Sequence, residues 1–143
     1  PGPSAVTTKF IVARAKPGLP FEDSLGTCTF CTKTVISTLA ETVAAATGWD
    51  FTTAEALNAG RRTINLLRVF NLKNGISGDL DRPSPRYGST PVDGKLQGKG
   101  SGPYWDDMLK NYYQIMGWDT ATGKPLPETL IALGLGHTIK DIW

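Results

Sequence analysis

Long apolar runs, a dominant charge and a cysteine framework are all missing from this sequence. No stretch approaches the roughly 18 consecutive apolar residues of a membrane span, and no secretory leader opens the chain, so no membrane partner is expected. The net charge is only +2, and no basic block interleaves with aromatics, which argues against a nucleic-acid partner. The two cysteines, Cys28 and Cys31, stand three positions apart and cannot staple a fold, so a reducing, cytoplasmic setting is expected. Pro1 leads without a methionine, as expected of an internal or processed start. Period-two alternation is missing too, and nothing predicts a sheet.

What is present is helical punctuation. At 143 residues the chain suits one domain that buries about two thirds of its surface on folding. Residues 1–22 hold a short apolar run at 10–13 and then Lys16-Pro17-Gly18-Leu19-Pro20, which reads as an irregular lead-in. A helix is predicted over about 30–47, with Val35, Ile36, Leu39, Val43 and Ala46 on one face and a stop at Gly48. Thr52 with Glu55 makes a capping box for a second helix, which turns Leu57, Ile64, Leu67 and Phe70 inward and stops near Gly75. A third follows Pro103, offers Met108, Leu109, Tyr112, Tyr113 and Met116 for burial, and ends at Gly117. Pro127 and Glu128 start a last short helix through Leu133.

The expected fold class is therefore all-α and multihelical, with a core containing Val35, Leu39, Leu57, Ile64, Leu67, Phe70, Leu109 and Tyr112. Residues 75–103 form a long Gly/Pro-rich loop, in which Arg82, Arg86, Lys95 and Lys99 read as solvated. Arg61, Arg62 and Arg68 read as solvated or acid-paired decoration of the second helix, and His137 as a surface residue. Gly48-Trp49-Asp50 and Gly117-Trp118-Asp119 each read as a helix stop, a packed indole and a polar turn residue.

Asp23-Ser24-Leu25-Gly26-Thr27-Cys28-Thr29-Phe30-Cys31 is the stretch with the most chemistry. A carboxylate accepts hydrogen bonds from an NH-rich heterocycle, and Gly26 lets the backbone pass close to a bulky ligand. Amides freed at a helix start can face an anion, and a thiol placed there is a metal-ligand candidate. The same residues also suit an ordinary helix entry with Asp23 as a turn residue and two buried thiols.

The stretch does not stand alone. Thr47-Gly48-Trp49-Asp50, Phe51-Thr52-Thr53-Ala54-Glu55, Gly60-Arg61-Arg62, Arg68-Val69-Phe70-Asn71, residues 79–86, Leu109-Lys110-Asn111-Tyr112-Tyr113, Gly117-Trp118-Asp119 and Leu133-Gly134-Leu135 follow it in order. As an ordered set these resemble the C-terminal domain of the aldehyde ferredoxin oxidoreductase family, tungsten- or molybdenum-pterin enzymes. The likeness covers residues 23–135, leaving 1–22 as lead-in and 136–143 as a tail.

The resemblance implies that Asp23, Ser24, Gly26 and Thr27 contact one pterin of a tungsten (or molybdenum) bis-pterin cofactor. It implies that Cys28 ligates a [4Fe-4S] cluster. Thr27 departs from the apolar residue the family pattern places before the cysteine. The family's other cluster cysteines, its first pterin segment and its N-terminal sheet domain have no counterpart here, so the chain is expected to be an enzyme fragment, inactive when isolated. The resemblance implies oxidation of aldehydes to carboxylic acids. Its implied partners are the rest of the same enzyme and ferredoxin or another electron-transfer subunit. An aromatic-thioester (benzoyl-CoA-type) reductase is the alternative within the family. Outside it stand a thioredoxin-like dithiol protein built on Cys28-Thr29-Phe30-Cys31 and a cofactor-free helical interaction module.

Overall fold

The structure is a computed structural model and describes residues 17–33 and 35–143. Seven α-helical segments are assigned there: α1 Gly18–Ser24, α2 Thr29–Thr32, α3 Ile36–Thr47, α4 Thr53–Lys73, α5 Pro85–Gly88, α6 Trp105–Met116 and α7 Pro127–Ala132. Short 3₁₀ turns cover Gly78–Leu80, Gly102–Tyr104 and Gly136–Asp141. Among the described residues no strand forms, and one isolated antiparallel bridge joins Trp118 to Pro125. The all-α expectation holds.

Helix α4 is the spine. Its start is the expected capping box: the Glu55 amide donates to Thr52 Oγ1 (3.3 Å) and the Thr52 amide to Glu55 Oε2 (2.7 Å). The bonds from Thr52 also hold the Glu55 carboxyl below the usual carboxylate range. Ala56, Gly60, Ile64 and Arg68 are buried at four-residue spacing, with Asn65 and Val69 beside them. Along this face three apolar clusters assemble. Phe21, Leu39, Ala40 and Ala56 join α1 and α3 to the start of α4, and the Phe21 and Phe51 rings stack 5.8 Å apart. Ile64, Tyr113, Met116 and Trp118 join α6 to its middle. Val69, Leu130, Leu135 and Ile142 join α7 and the last 3₁₀ turn to its end.

The close approach of α1 depends on one glycine. A Cβ on Gly60 would stand 1.8 Å from the Pro17 carbonyl oxygen, where only hydrogen fits. That contact fixes the face α4 presents, and it corrects the expected core. Leu39 and Ile64 are buried, and Leu57, Leu109 and Tyr112 are half-buried. Val35, Leu67 and Phe70, however, are exposed, the last two by 56% and 62%. With Ala56 and Gly60 turned toward α1 and α3, the Leu66, Leu67 and Phe70 side lies across the helix and faces outward.

Other boundaries shift for local reasons. The helix expected over 30–47 is two pieces, because Lys33 adopts φ 52° and ends α2 after a single turn. Thr32, Thr34 and Val35 are β-branched and weak helix formers, so the break lies where propensity is lowest. The irregular lead-in does not reach residue 22. Pro17 caps α1, and Pro20 sits in its first turn, where the missing amide would have no helical partner anyway. The apolar run at 10–13 lies outside the described residues. At the other end the tail is packed: Thr138 and Ile142 are buried, Trp143 Nε1 donates to the Pro125 carbonyl (2.9 Å), and Lys73 pairs with Asp141 (3.0 Å). His137 is exposed as expected. Gly48 and Gly117 both stop helices with left-handed φ, but only Trp118 is packed; Trp49 is 66% exposed.

Candidate cofactor-facing segment

Residues 23–28 leave the end of α1 as an exposed turn anchored from behind. Phe21 and Glu22 are buried at 4% and 0% exposure, whereas Asp23, Ser24, Leu25, Gly26, Thr27 and Cys28 are all exposed. Backbone bonds close the turn: the Leu25 amide reaches the Phe21 and Glu22 carbonyls (3.2 and 3.0 Å), and the Gly26 amide reaches Asp23 (3.0 Å). Thr27 Oγ1 donates back to the Glu22 carbonyl (3.2 Å), and Ser24 Oγ to the Pro20 carbonyl (2.6 Å). The buried end of α1 thus sets the position of the exposed turn.

Each expected site residue can be placed. Asp23 makes no side-chain hydrogen bond or ion pair among the described residues, so its carboxylate faces solvent with both oxygens available. Gly26 has φ +69°, and nothing lies within 4 Å of the Cβ it lacks, so a ligand can reach the backbone there. Cys28 caps α2, and its carbonyl takes the amides of Cys31 (2.8 Å) and Thr32 (3.1 Å) and the Thr32 hydroxyl (3.2 Å). Both thiols are free and exposed. The alternative of two buried thiols does not hold among the described residues.

An exposed carboxylate, an unobstructed glycine backbone and an exposed thiol on one turn fit one wall of a pterin-and-cluster site. Two surface grooves, about 700 and 600 Å³, lie elsewhere: one between Arg61, Arg62, Glu128 and Leu133, the other between Asp79, Lys110, Tyr113 and Thr122. Neither includes a residue of 23–28. Among the described residues no group of three or more His, Cys, Asp or Glu side chains is close enough to hold a metal ion. No described helix is long and apolar enough to cross a membrane.

Arg68 is acid-paired, one of the two expected alternatives, and its burial makes it the centre of a polar network that the sequence did not show. Its guanidinium is 7% exposed and grips Asp81 through two bonds, Nη1 to Oδ1 (3.0 Å) and Nη2 to Oδ2 (2.6 Å), while Nε donates to the Gly123 carbonyl (3.0 Å). Tyr113 donates its hydroxyl to the same Asp81 oxygen, and Trp105 Nε1 donates to the Asp81 carbonyl (3.0 Å). Arg68 also lies over the Trp118 ring, 4.9 Å from its centroid, and Trp118 Nε1 donates to Asn65 Oδ1 (2.8 Å). Burial, with a smaller contribution from the Asp81 carboxylate, pushes the Tyr113 hydroxyl up to about 12. This network ties the 75–103 loop to α4 and α6. Its signal was the register, since Arg68 falls four residues after Ile64 on the buried stripe.

Comparison with known proteins identifies the family. Residues 11–135 match the family model "Aldehyde ferredoxin oxidoreductase, domains 2 & 3". The tungsten-containing aldehyde ferredoxin oxidoreductases of Pyrococcus furiosus and Thermococcus kodakarensis are 37% and 34% identical to the chain over 117 residues, 80% of this chain. The chain spans 19% of the length of these curated relatives. In three dimensions it is similar to the active-site complex BamBC of benzoyl-coenzyme A reductase in complex with 1,5-dienoyl-CoA. That likeness has a TM-score of 0.77 and 23% identity, and covers 98% of this chain and 21% of that one. By sequence over most of its length, the chain belongs to the aldehyde ferredoxin oxidoreductase family.

Proposed function

We propose that this chain is part of a tungsten- (or molybdenum-) pterin, iron–sulfur oxidoreductase that oxidises aldehydes to carboxylic acids. In it Asp23, Ser24, Gly26 and Thr27 face one pterin, and Cys28 is a ligand of a [4Fe-4S] cluster. The carrying observation is the exposed 23–28 turn held on a buried α1, in a chain 37% identical to an aldehyde-oxidising relative. Asp23 accepts hydrogen bonds from the pterin's N–H groups, Gly26 admits the ring system against the backbone, and Thr27 and Ser24 keep the turn in shape. Cys28 binds iron as thiolate. When bound, the metal and cluster supply two-electron and one-electron chemistry: water provides the oxygen of the acid, and two electrons and two protons leave. The electrons pass to ferredoxin or another electron-transfer subunit. The aromatic-thioester reductase reading is supported by a fold likeness at 23% identity, and the aldehyde reading by closer sequence relatives.

The outward face of α4 supports the partnership with the rest of a longer enzyme. Leu66, Leu67 and Phe70 are exposed together on a helix whose other side is already packed, and a cluster of large apolar side chains left outside marks an interaction surface. Iron and tungsten analysis of the full-length protein tests the assignment. Cys28→Ala is expected to lose cluster iron, and Asp23→Asn to keep iron but lose tungsten cofactor. Full iron in Cys28→Ala with iron loss in Cys31→Ser would reverse the two thiols.

A further inference from the structure

Cys31 has no part in that assignment, yet it is presented to solvent beside Cys28. Cys28 is the cap of α2 and Cys31 its third residue, and the Cys31 amide donates to the Cys28 carbonyl at 2.8 Å. Residues three apart across one helical turn have Cα atoms about 5 Å apart, within the roughly 4.4–6.8 Å span that a disulfide bridges. Both thiols are free and exposed. The turn that carries them is lightly held: Phe30 is 94% exposed, and α2 ends at once in the left-handed Lys33. Rotation about the two Cα–Cβ bonds moves the sulfurs toward each other, and both residues are exposed.

We propose that Cys28 and Cys31 form a reversible intramolecular disulfide in the cluster-free protein, which withholds the Cys28 sulfur from iron until it is reduced. The consequence for iron rests on the reading of Cys28 as a cluster ligand; the disulfide itself does not. The oxidant is a low-molecular-weight disulfide such as oxidised glutathione. One protein thiolate attacks it, the glutathione S–S bond breaks, and one glutathione thiolate leaves. The second protein thiolate then attacks the mixed disulfide and releases the other glutathione. Two protein thiols are oxidised, one small disulfide is reduced to two thiols, and the two protons are conserved. Thiolate is the metal-binding form, so a sulfur held in the bridge cannot ligate iron. In a reducing compartment such a bridge is transient, as redox-sensing disulfides are.

The experiment uses the full polypeptide, stripped of iron with a chelator and equilibrated anaerobically in glutathione buffers of graded oxidised-to-reduced ratio. Free thiols are trapped with a maleimide, and the peptide spanning 28–31 is weighed. The expected result is simultaneous loss of both labels, a peptide lighter by two hydrogens, and full recovery with dithiothreitol. Cys28→Ser and Cys31→Ser should each carry one glutathione at the remaining cysteine instead. Accumulation of glutathione adducts in the wild type, or two labelled thiols at a ratio that modifies the single variants, would overturn the proposal. Adding ferrous iron alone, with no thiol or sulfide present, to the oxidised protein separates the two claims. No uptake before reduction and uptake after it supports the withholding of Cys28, and equal uptake in both states overturns it. A bridge that forms in a protein whose Cys28→Ala variant keeps all its iron would leave the disulfide standing and remove the ligand assignment.

Discussion

Gly60→Ala sets helix propensity against packing, and the two give opposite signs. In the interior of a helix, alanine in place of glycine stabilises by roughly 0.5–1 kcal/mol. Here the added methyl would meet Pro17 O at 1.8 Å, Pro17 C at 2.7 Å and Pro17 Cα at 3.1 Å. All three atoms are backbone, so no rotamer change relieves the clash, and the start of α1 must move away by roughly 1.5 Å to restore ordinary contact. Overpacking of this kind costs about 1–3 kcal/mol. The shift also loosens Phe21, whose full burial contributes about 1.5–3 kcal/mol. After the propensity gain is subtracted, a net loss of about 2–4 kcal/mol is expected. Urea unfolding followed by far-ultraviolet circular dichroism measures it. Because α1 carries the 23–28 turn, the cofactor-bearing protein should also lose bound iron and tungsten. A variant as stable as the parent, or more stable, would show that α1 does not rest on Gly60 and that the turn is positioned some other way.

Asp81→Asn removes the charge facing the buried Arg68 guanidinium and should cost about 2–4 kcal/mol in urea unfolding; a loss below about 0.5 kcal/mol would mean that the loop is held without the pair. Tyr113 should make stability fall at high pH. Its hydroxyl ionises near 10 when unfolded and near about 12 when folded, so the unfolded state gives up its proton first. The contribution is complete below pH 10 and lost as pH rises through 12, a decline of about 1–2 kcal/mol that Tyr113→Phe should flatten. Leu67→Gln and Phe70→Gln keep helix propensity nearly constant on an exposed face and should each change the stability of this segment alone by less than about 0.5 kcal/mol. In the longer protein the same changes should cost about 2 kcal/mol or more each by thermal unfolding, and equal small effects in both would place that face in solvent.

Punctuation was the most legible part of the sequence. The Thr52 and Glu55 capping box, the Gly117 stop and Pro127 at the start of α7 each act through a local backbone requirement, and each is found where the sequence placed it. The face of α4 was not legible, for a physical reason. Leu57, Ile64, Leu67 and Phe70 form an apolar stripe, but so do Ala56, Gly60, Ile64 and Val69, and hydrophobicity alone ranks the larger residues inward. The deciding term is a backbone approach that only a small residue permits, and it involves Pro17, far back in the sequence. For Arg68 the acid-paired alternative holds, but its burial and the identity of its carboxylate, thirteen residues on and across a loop, emerge only in the fold.

The candidate site divides along the same line. The sequence identified which residues form the turn, because Gly26 and the helix start after Cys28 are local backbone signals. It did not identify their surroundings. The alternative of two buried thiols fails within this segment, and the helix expected over about 30–47 breaks after one turn. Both differences follow from Lys33, whose left-handed backbone turns the chain before α2 can pack a second turn against α3. The turn therefore projects from α1 without a wall opposite it among the described residues. With Glu22 and Phe21 buried behind and Asp23, Gly26 and Cys28 open in front, its chemistry is directed away from this segment's own core. On the proposed reading, such a surface gains its function from the part of the enzyme that closes over it.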